Sequence, residues 1–247
     1  MKVIINGACG RMGRKLIDKL SENGAELFAA VDKFVPDDAP VACFERLCDC
    51  PDGADVIIDF SVHTCAKDIC DYVREKKIPV VIATTGHNGE ELELIKDAAC
   101  FAPVFYAGNM SLGVALLVGL AKKAALVMKD ADIEIVETHH NQKLDAPSGT
   151  ALMIADGIKS VLDEAEYVYG RHGHHKREKK EIGIHSIRSG NIVGIHEVII
   201  NTGNESLTLK HEAYDRGLFA DGAFAAAAYI IGKKPGMYDM YGMLSID

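Results

Sequence analysis

The first 109 residues alternate short apolar runs with amphipathic segments of helical length, and this alternation constrains the fold more than any other feature. The apolar runs are rich in Val, Ile and Phe, as buried parallel strands are. Parallel strands need long crossover connections, which the helical segments supply. The pattern therefore predicts an α/β domain with a doubly wound parallel sheet. The predicted strands are 2–7, 26–32, 54–61, 79–85 and 103–109, and the predicted helices are 11–24, 63–77 and 88–100.

After Asn109 the pattern changes. A long apolar helix, a strand and a second helix are followed by three strand-like runs with short turns at Ser189 and Gly190 and at Gly203 and Asn204. Consecutive strands with tight connections indicate an antiparallel or mixed sheet, so this part predicts an α+β domain. The predicted helices are 111–129, 149–162 and an Ala-rich 218–234, and the predicted strands are 132–140, 181–188, 191–201 and 205–214.

Composition excludes several classes of protein. Hydrophobic residues make up 48% and charged residues 26% of the chain, the balance of a soluble globular protein. No run approaches the roughly 18 uncharged apolar residues that a membrane helix needs, and the N-terminus enters a strand pattern without a signal segment. The formal charge of −9 argues against nucleic-acid binding, which relies on clustered Lys and Arg. We therefore expect a cytoplasmic protein with neither membrane nor nucleic acid as a partner.

One basic run, RHGHHKREKK at 171–180, stands out from this acidic background. A solvated loop is the interpretation we favour for it. An anion-binding loop and a weak metal site built from His172, His174 and His175 are the alternatives.

The seven cysteines lack the even, regular spacing of a secreted disulfide framework, which favours reduced thiols. Cys43, Cys48 and Cys50 come closest to a metal cluster. No Cys or His pair follows them at zinc-finger spacing, so we interpret them as buried or loop cysteines.

A glycine-rich loop, GACGRMG, follows the first predicted strand and opens the first predicted helix. Glycines let a backbone approach a pyrophosphate, and a helix N-terminus supplies free N–H groups for it. Asp32 ends the second strand about 20 residues on, where a carboxylate can accept hydrogen bonds from an adenosine ribose. Asp32 favours NADH, because a 2′-phosphate would meet a like charge, whereas Lys33 keeps NADPH open. A purely structural turn is the alternative.

Two more loops follow neighbouring strands, ATTG at 83–86 and AGNM at 107–110. Ligands of open α/β sheets bind beyond the carboxyl ends of the strands. Small residues and an Asn at this edge suit a nicotinamide ring and its amide, although structural turns have the same composition.

The stretch HHNQKLDAPSGTA, from His139 to Ala151, combines three chemical functions. His139 ends a predicted strand and titrates near neutrality, and Lys143 lies on the same face four residues on. Gly149 and Thr150 follow a predicted N-cap serine, and the first backbone N–H groups of a helix suit a carboxylate. The set suits an acidic substrate that is protonated during reaction. A solvated polar loop is the alternative.

A zinc site at His139 and His140 is a weaker hypothesis, because no third ligand is evident nearby. We therefore predict no metal.

The motifs resemble those of the 4-hydroxy-tetrahydrodipicolinate reductases, a family also called dihydrodipicolinate reductases, over essentially the whole chain. The resemblance implies hydride transfer from NADH or NADPH, with NADH slightly favoured, to a cyclic imine dicarboxylate in diaminopimelate and lysine biosynthesis. It also implies a homotetramer, with a Rossmann domain of residues 1–109 and 217–247 and an inserted substrate-binding and oligomerisation domain of residues 110–216. The motifs are GACGRMG, DFS at 59–61, ATTG, ETHHNQKLDAPSGTAL at 137–152 and EIGIHSIRSGNIVGIHEV at 181–198.

The resemblance also implies roles for single residues. His139 matches the family's proton donor and acceptor, and Lys143 its proton donor. The positions that match substrate-carboxylate contacts are His140, Gly149 and Thr150. The positions that match cofactor contacts are Gly7, Ala8, Cys9, Gly10, Arg11, Met12, Asp32, Ala83, Thr84, Thr85, Ala107, Gly108, Asn109 and Met110. The positions that depart from the commonest pattern are Asn141 for Arg, Ala83 for Gly and Met110 for Phe.

Two other functions compete with this one. A non-catalytic dinucleotide sensor would keep the first domain and use the second for partner contacts. An aldehyde-oxidising enzyme would act through a thiol such as Cys9 or Cys65, but neither cysteine has neighbours in sequence that would obviously lower its pKa.

Overall fold

The computed structural model describes residues 1–246, which form two compact units. The first unit contains Met1–Ser111 and Gly217–Ser245, and the second contains Leu112–Arg216 and Ile246. No helix in this described part of the chain is long and apolar enough to cross a membrane.

Every strand and helix that the sequence predicts is present in residues 1–246, with somewhat different ends, and β7, β11 and α7 are additional. The strands are β1 (Lys2–Asn6), β2 (Glu26–Val31), β3 (Val56–Asp59), β4 (Val80–Ile82), β5 (Pro103–Tyr106), β6 (Asp132–His139), β7 (Glu166–Tyr169), β8 (Glu181–Arg188), β9 (Gly194–Asn201), β10 (Ser206–Ala213) and β11 (Gly236–Tyr238). The α-helices are α1 (Arg11–Lys19), α2 (Ala66–Lys76), α3 (Gly89–Ala98), α4 (Leu112–Val127), α5 (Gly149–Lys159), α6 (Gly217–Ile230) and α7 (Met240–Leu244).

The first unit is built on a parallel sheet with the strand order β11-β5-β4-β3-β1-β2. This confirms the predicted doubly wound sheet. The order of the strands reverses between β1 and β3, so the carboxyl ends of these two strands flank the crevice in which such sheets bind ligands. The predicted strands extend past the observed ends because Gly, Ser, Thr and Asn residues turn the chain into loops there.

The second unit is built on a sheet with the strand order β10-β9-β6-β8-β7. The β9 strand pairs antiparallel with β10 and β6, whereas β8 pairs parallel with β6 and β7, which confirms a mixed sheet. The turn at Ser189 and Gly190 does not join neighbouring strands, because β6 lies between β8 and β9. It passes the end of β6, where Ser189 N donates to His139 O at 2.8 Å and Asn141 N donates to Gly190 O at 3.1 Å.

Residues of β6 alternate between a buried and a partly exposed face. The buried face carries Ile133 and Ile135 and then two polar residues, Glu137 and His139. Helix α5 packs on β6, and α4 packs on α5, β9 and β10. The packing therefore removes a carboxylate and an imidazole from water at the end of one strand.

The basic run 171–180 connects β7 to β8. Arg171 Nη2 lies 2.8 Å from Glu134 Oε1, and Arg177 Nη1 lies 2.7 Å from Asp132 Oδ1, so two arginines hold the loop on the sheet. The residues between these arginines are exposed, as in the solvated-loop interpretation. Within residues 1–246, no group of three or more His, Cys, Asp or Glu is arranged to hold a metal ion.

Candidate active site

The glycine loop of the first unit packs directly against backbone. Gly7 has φ 83°, and a Cβ added to it would lie 2.6 Å from Phe60 O. A Cβ on Gly13 would lie 2.1 Å from Gly7 O, so a side chain at Gly7 would push the loop away from Phe60, and one at Gly13 would push α1 away from the loop. Helix α1 begins at Arg11 with Gly10 as its N-cap, which has no side chain to bond the first N–H groups. These groups suit a pyrophosphate.

The carboxylate of Asp32 lies beside this loop. Its Oδ2 accepts a hydrogen bond from Cys9 N at 2.9 Å, and its Oδ1 accepts one from Phe34 N at 3.1 Å. Both bonds fix the carboxylate at the end of β2, where the sequence predicts a ribose contact. Lys33 follows as an exposed residue.

A buried carboxylate, Asp59, joins the ends of three strands. It is fully buried and accepts hydrogen bonds from Asn6 Nδ2 at 2.8 Å, Ser61 Oγ at 2.6 Å and Thr84 Oγ1 at 2.7 Å. Burial raises its pKa despite these bonds. The hydroxyl of Thr84, predicted to contact the cofactor, is therefore bonded to Asp59. The sequence motifs assign Asp59 no role, although polar residues at the ends of the first, third and fourth apolar runs are a signal for one.

The two further predicted loops follow the neighbouring strands β4 and β5, at the same sheet edge as the glycine loop. Thr85 and Gly108 are exposed and Asn109 is partly exposed, so they can meet a ligand. Ala83 and Met110, two departures from the family pattern, are buried at 7% and 2% exposure.

In the second unit, the carboxylate of the fully buried Glu137 accepts hydrogen bonds from several elements. Arg188 donates two of them, from Nη1 and Nη2, each at 2.9 Å. His139 Nδ1 lies 2.6 Å away, and Ser148 N donates at 3.1 Å. Strands β6 and β8 and the start of α5 therefore meet at one carboxylate.

These contacts set the protonation of the pair. Burial raises the pKa of Glu137, but the hydrogen bonds from Arg188, Ser186 and His139 outweigh it and bring this pKa to about 2. Burial lowers the pKa of His139, and Glu137 partly offsets that effect. With Nδ1–H directed to Glu137, the Nε2 atom of His139 is the one free to exchange a proton. Sequence reasoning missed Glu137, although its spacing of two from His139 in a strand predicts a shared face.

A second histidine, His196, packs against the first. It lies opposite Glu137 on β9, and its ring meets that of His139 edge to face, with the centroids 5.1 Å apart. Its Nε2 lies 3.1 Å from Ser148 Oγ, which also accepts from Ala151 N as the predicted N-cap. Burial lowers its pKa to about 3, so His196 is neutral near pH 7. It was not among the predicted site residues.

Lys143 forms an ion pair with Asp145, with its Nζ 2.9 Å from Oδ1. The Lys143 ammonium holds the pKa of Asp145 below its usual range, aided by a hydrogen bond from the backbone of Gly149, and it also lowers the pKa of His139. Lys143 and the Gly149 backbone, both predicted to act on the substrate, therefore contact the carboxylate of Asp145 in this structure.

The remaining predicted residues of this unit lie around these groups. Thr150 and His140 are partly exposed, and the hydrogen bonds of Glu137 do not include His140. Asn141 is exposed, and its Oδ1 accepts from Gln142 Nε2 at 3.1 Å.

Together, a glycine loop beside a strand-end carboxylate and a histidine anchored beside a helix start define a dinucleotide-dependent oxidoreductase with a Rossmann-type sheet. Comparison with known proteins makes the assignment specific. The family model described as dihydrodipicolinate reductase, N-terminus, matches residues 1–110, and the model of the C-terminus matches residues 113–244. The chain belongs to the dihydrodipicolinate reductase family, as the motifs predicted.

Relatives match over nearly their whole length. The 4-hydroxy-tetrahydrodipicolinate reductase of Caldanaerobacter subterraneus subsp. tengcongensis is 48% identical over 97% of this chain and 96% of its own. The enzyme of that name from Clostridium tetani is 44% identical over 99% and 97%. Among solved structures, dipicolinate-bound dihydrodipicolinate reductase from Paenisporosarcina sp. TG-14 superposes with a TM-score of 0.80 at 24% identity, covering 98% of both chains.

Proposed function

We propose that this chain reduces 4-hydroxy-tetrahydrodipicolinate to tetrahydrodipicolinate with a nicotinamide cofactor, in diaminopimelate and lysine biosynthesis. One observation in the structure supports this most directly: the fully buried Glu137 lies 2.6 Å from His139 Nδ1. A sensor that only binds a dinucleotide has no need of an imidazole anchored in this way. Membership of the reductase family supports the same reaction.

The residues fit a dinucleotide because Gly7 and Gly13 leave no room for side chains where the loop packs on backbone. The loop from Gly7 to Met12 would hold the pyrophosphate, and Asp32 the adenosine ribose. When bound, the nicotinamide supplies a hydride to a carbon conjugated with the imine. We place NADH slightly ahead of NADPH, since the Asp32 carboxylate would repel a 2′-phosphate.

Protons come from the second unit. As the substrate ring gains electron density, His139 Nε2 supplies a proton to it. Glu137 holds the imidazole ring of His139 through Nδ1. Lys143 Nζ is the second proton donor. The backbone N–H groups of Gly149 and Thr150, together with His140, hold the carboxylates of the substrate.

The decisive experiment supplies enzymatically prepared substrate and follows the oxidation of NADH and of NADPH by absorbance. We expect turnover with both cofactors, and faster turnover with NADH. Binding of NADH without turnover would identify a sensor instead. Loss of activity in a Cys65→Ser variant would favour the thiol enzyme.

We also propose that the chain forms a homotetramer in the cytoplasm. Apolar side chains on the second sheet, among them Ile187 at 47% exposure, support an association through this unit. Light scattering should give four times the mass of one chain. Seven free cysteines support a reducing compartment, which cell fractionation would test.

A further inference from the structure

Two cysteines from distant parts of the sequence lie close together at the glycine loop of the first unit. Cys9 lies in the glycine loop, and its Sγ is 3.7 Å from Cys43 Sγ. Cys43 precedes Phe44, whose backbone pairs with the edge of β2 through Phe44 N to Ala30 O at 2.8 Å and Asp32 N to Phe44 O at 3.0 Å. Both cysteines are partly exposed, so a small oxidant can reach them.

The backbone holds this pair in place. Cys9 N donates to Asp32 Oδ2 at 2.9 Å, and Cys9 O accepts from Arg14 Nε at 3.1 Å. Cys43 is fixed from the other side by the strand pairing of Phe44 and by its own Sγ contact to Val41 O at 3.4 Å. The closeness of the sulfurs thus follows from ordered backbone on both sides.

We propose that Cys9 and Cys43 are a modification site: they form a reversible disulfide on oxidation, and this bond weakens dinucleotide binding at the glycine loop. A disulfide brings two sulfurs to about 2.05 Å, so closing the pair draws Cys9 toward Cys43 by more than 1 Å. The backbone at Gly7 and Gly13 already packs closely against other backbone atoms, so the glycine loop cannot accommodate this movement of Cys9 without changing its own conformation. The effect on binding rests on the cofactor assignment of the proposed function.

A peroxide is the oxidant in this reaction. The Cys9 sulfur attacks hydrogen peroxide, the O–O bond breaks, and sulfenic acid and one water form. The Cys43 sulfur then attacks the sulfur of the sulfenic acid, the S–S bond forms, and a second water leaves. Burial and the adjacent Cys9 raise the pKa of the Cys43 thiol to about 11, which disfavours Cys43 as the group that attacks peroxide first and leaves it the resolving role. As the S–S bond forms, the S–O bond of the sulfenic acid breaks, and the departing hydroxyl takes the proton of Cys43 to give the second water. Two thiols are oxidised, and one peroxide is reduced to two waters.

Binding and oxidation are linked reciprocally. If the disulfide weakens NADH binding, bound NADH must shift the thiol–disulfide equilibrium of the pair toward the two thiols by the same coupling free energy. In a thiol–disulfide redox buffer, the fraction of oxidised pair should therefore be smaller in protein saturated with NADH.

Peptide mapping tests the bond itself without any assay of activity. Trypsin releases Cys9 in peptide 3–11 and Cys43 in peptide 34–46, whereas the other five cysteines fall in peptides 47–67, 68–74 and 97–122. After treatment with hydrogen peroxide and alkylation of free thiols, we expect 3–11 joined to 34–46, and separation of the two by dithiothreitol. Peroxide-treated protein in which both peptides stay unlinked would overturn the proposal.

NADH titration tests the consequence. We expect the oxidised protein to bind NADH at least about tenfold more weakly than the reduced protein, and dithiothreitol to restore the affinity. A Cys43→Ser variant should keep its affinity after peroxide, whereas Cys48→Ser, which changes a nearby exposed cysteine, should respond like the parent. The proposed effect of the disulfide on NADH binding would be overturned if peroxide weakened NADH binding equally in Cys43→Ser and in the parent. It would also be overturned if peptide mapping showed the disulfide while NADH affinity stayed unchanged. Reduced protein that binds NADH without reducing substrate would refute the proposed function alone.

Discussion

Glu137 accepts a hydrogen bond from His139 Nδ1 across 2.6 Å, in a position from which water is fully excluded. The bond fixes the tautomer of the imidazole and directs Nε2 away from the carboxylate. Arg188 bonds both oxygens of Glu137, which keeps the carboxylate ionised at a pKa of about 2. Glu137 is therefore the positioning residue of the proposed proton donor.

Replacing Glu137 by Gln tests this relationship with almost no change of shape. Glu137 raises the pKa of His139 against the effect of burial, so the variant should have a lower His139 pKa. If protonated His139 is the acid, activity is lost as pH rises through this pKa, and the falling limb of the kcat profile should move to lower pH. At neutral pH we expect turnover to fall by about 10².

The control is Glu134→Gln on the same strand, where the carboxylate pairs with Arg171 and His185 instead. In Glu134→Gln, the falling limb of the kcat profile should stay at the same pH as in the parent. A uniform loss of activity in Glu137→Gln with an unmoved limb would mean that Glu137 only supports the fold.

The proton donors can be separated from the cofactor site by substitution. His139→Gln and Lys143→Ala should each lower kcat by about 10²–10⁴, because each removes a proton donor. NADH affinity, measured by fluorescence, should be unchanged in both. Lys129→Ala, which removes a lysine from the far end of the unit, is the matched control. Parent rates in both variants would refute the catalytic assignment.

The side chain of Asp145 contacts two groups that we assign to substrate binding and proton transfer. It pairs with Lys143 Nζ at 2.9 Å and receives the backbone N–H of Gly149, so a substrate carboxylate must displace it. The Asp145 side chain is 59% exposed, and such pairs contribute about 0.2–1 kcal/mol. Asp145→Asn should therefore lower KM for the substrate by up to about fivefold, with kcat retained. A higher KM would show that Asp145 assists binding.

The sequence was sufficient to predict the two sheets and the local motifs, but it did not reveal the contacts between strands. His139 and Lys143 are recognisable because residue type and spacing are local properties. Arg188 bonds Glu137, and His196 lies opposite it, only because β6 lies between β8 and β9, an order that short connections in the chain do not disclose. For the same reason, Asn6 and Thr84 meet Asp59 through sheet order alone. The strands β7 and β11 were missed because they are short and lack a clean alternation.

Cofactor choice can be changed at the end of β2. Asp32 holds its carboxylate beside the glycine loop through Cys9 N and Phe34 N, and a 2′-phosphate bound there would face this charge. Asp32→Asn keeps hydrogen-bond acceptance by one oxygen and removes the repulsion. The ratio of kcat/KM for NADPH over NADH should rise by about tenfold, or about 1.4 kcal/mol. Lys33→Ala removes the nearby positive charge and leaves Asp32 unchanged, so in this variant the ratio of kcat/KM for NADPH over NADH should fall. Equal ratios in the parent and both variants would place the specificity of the ribose site elsewhere.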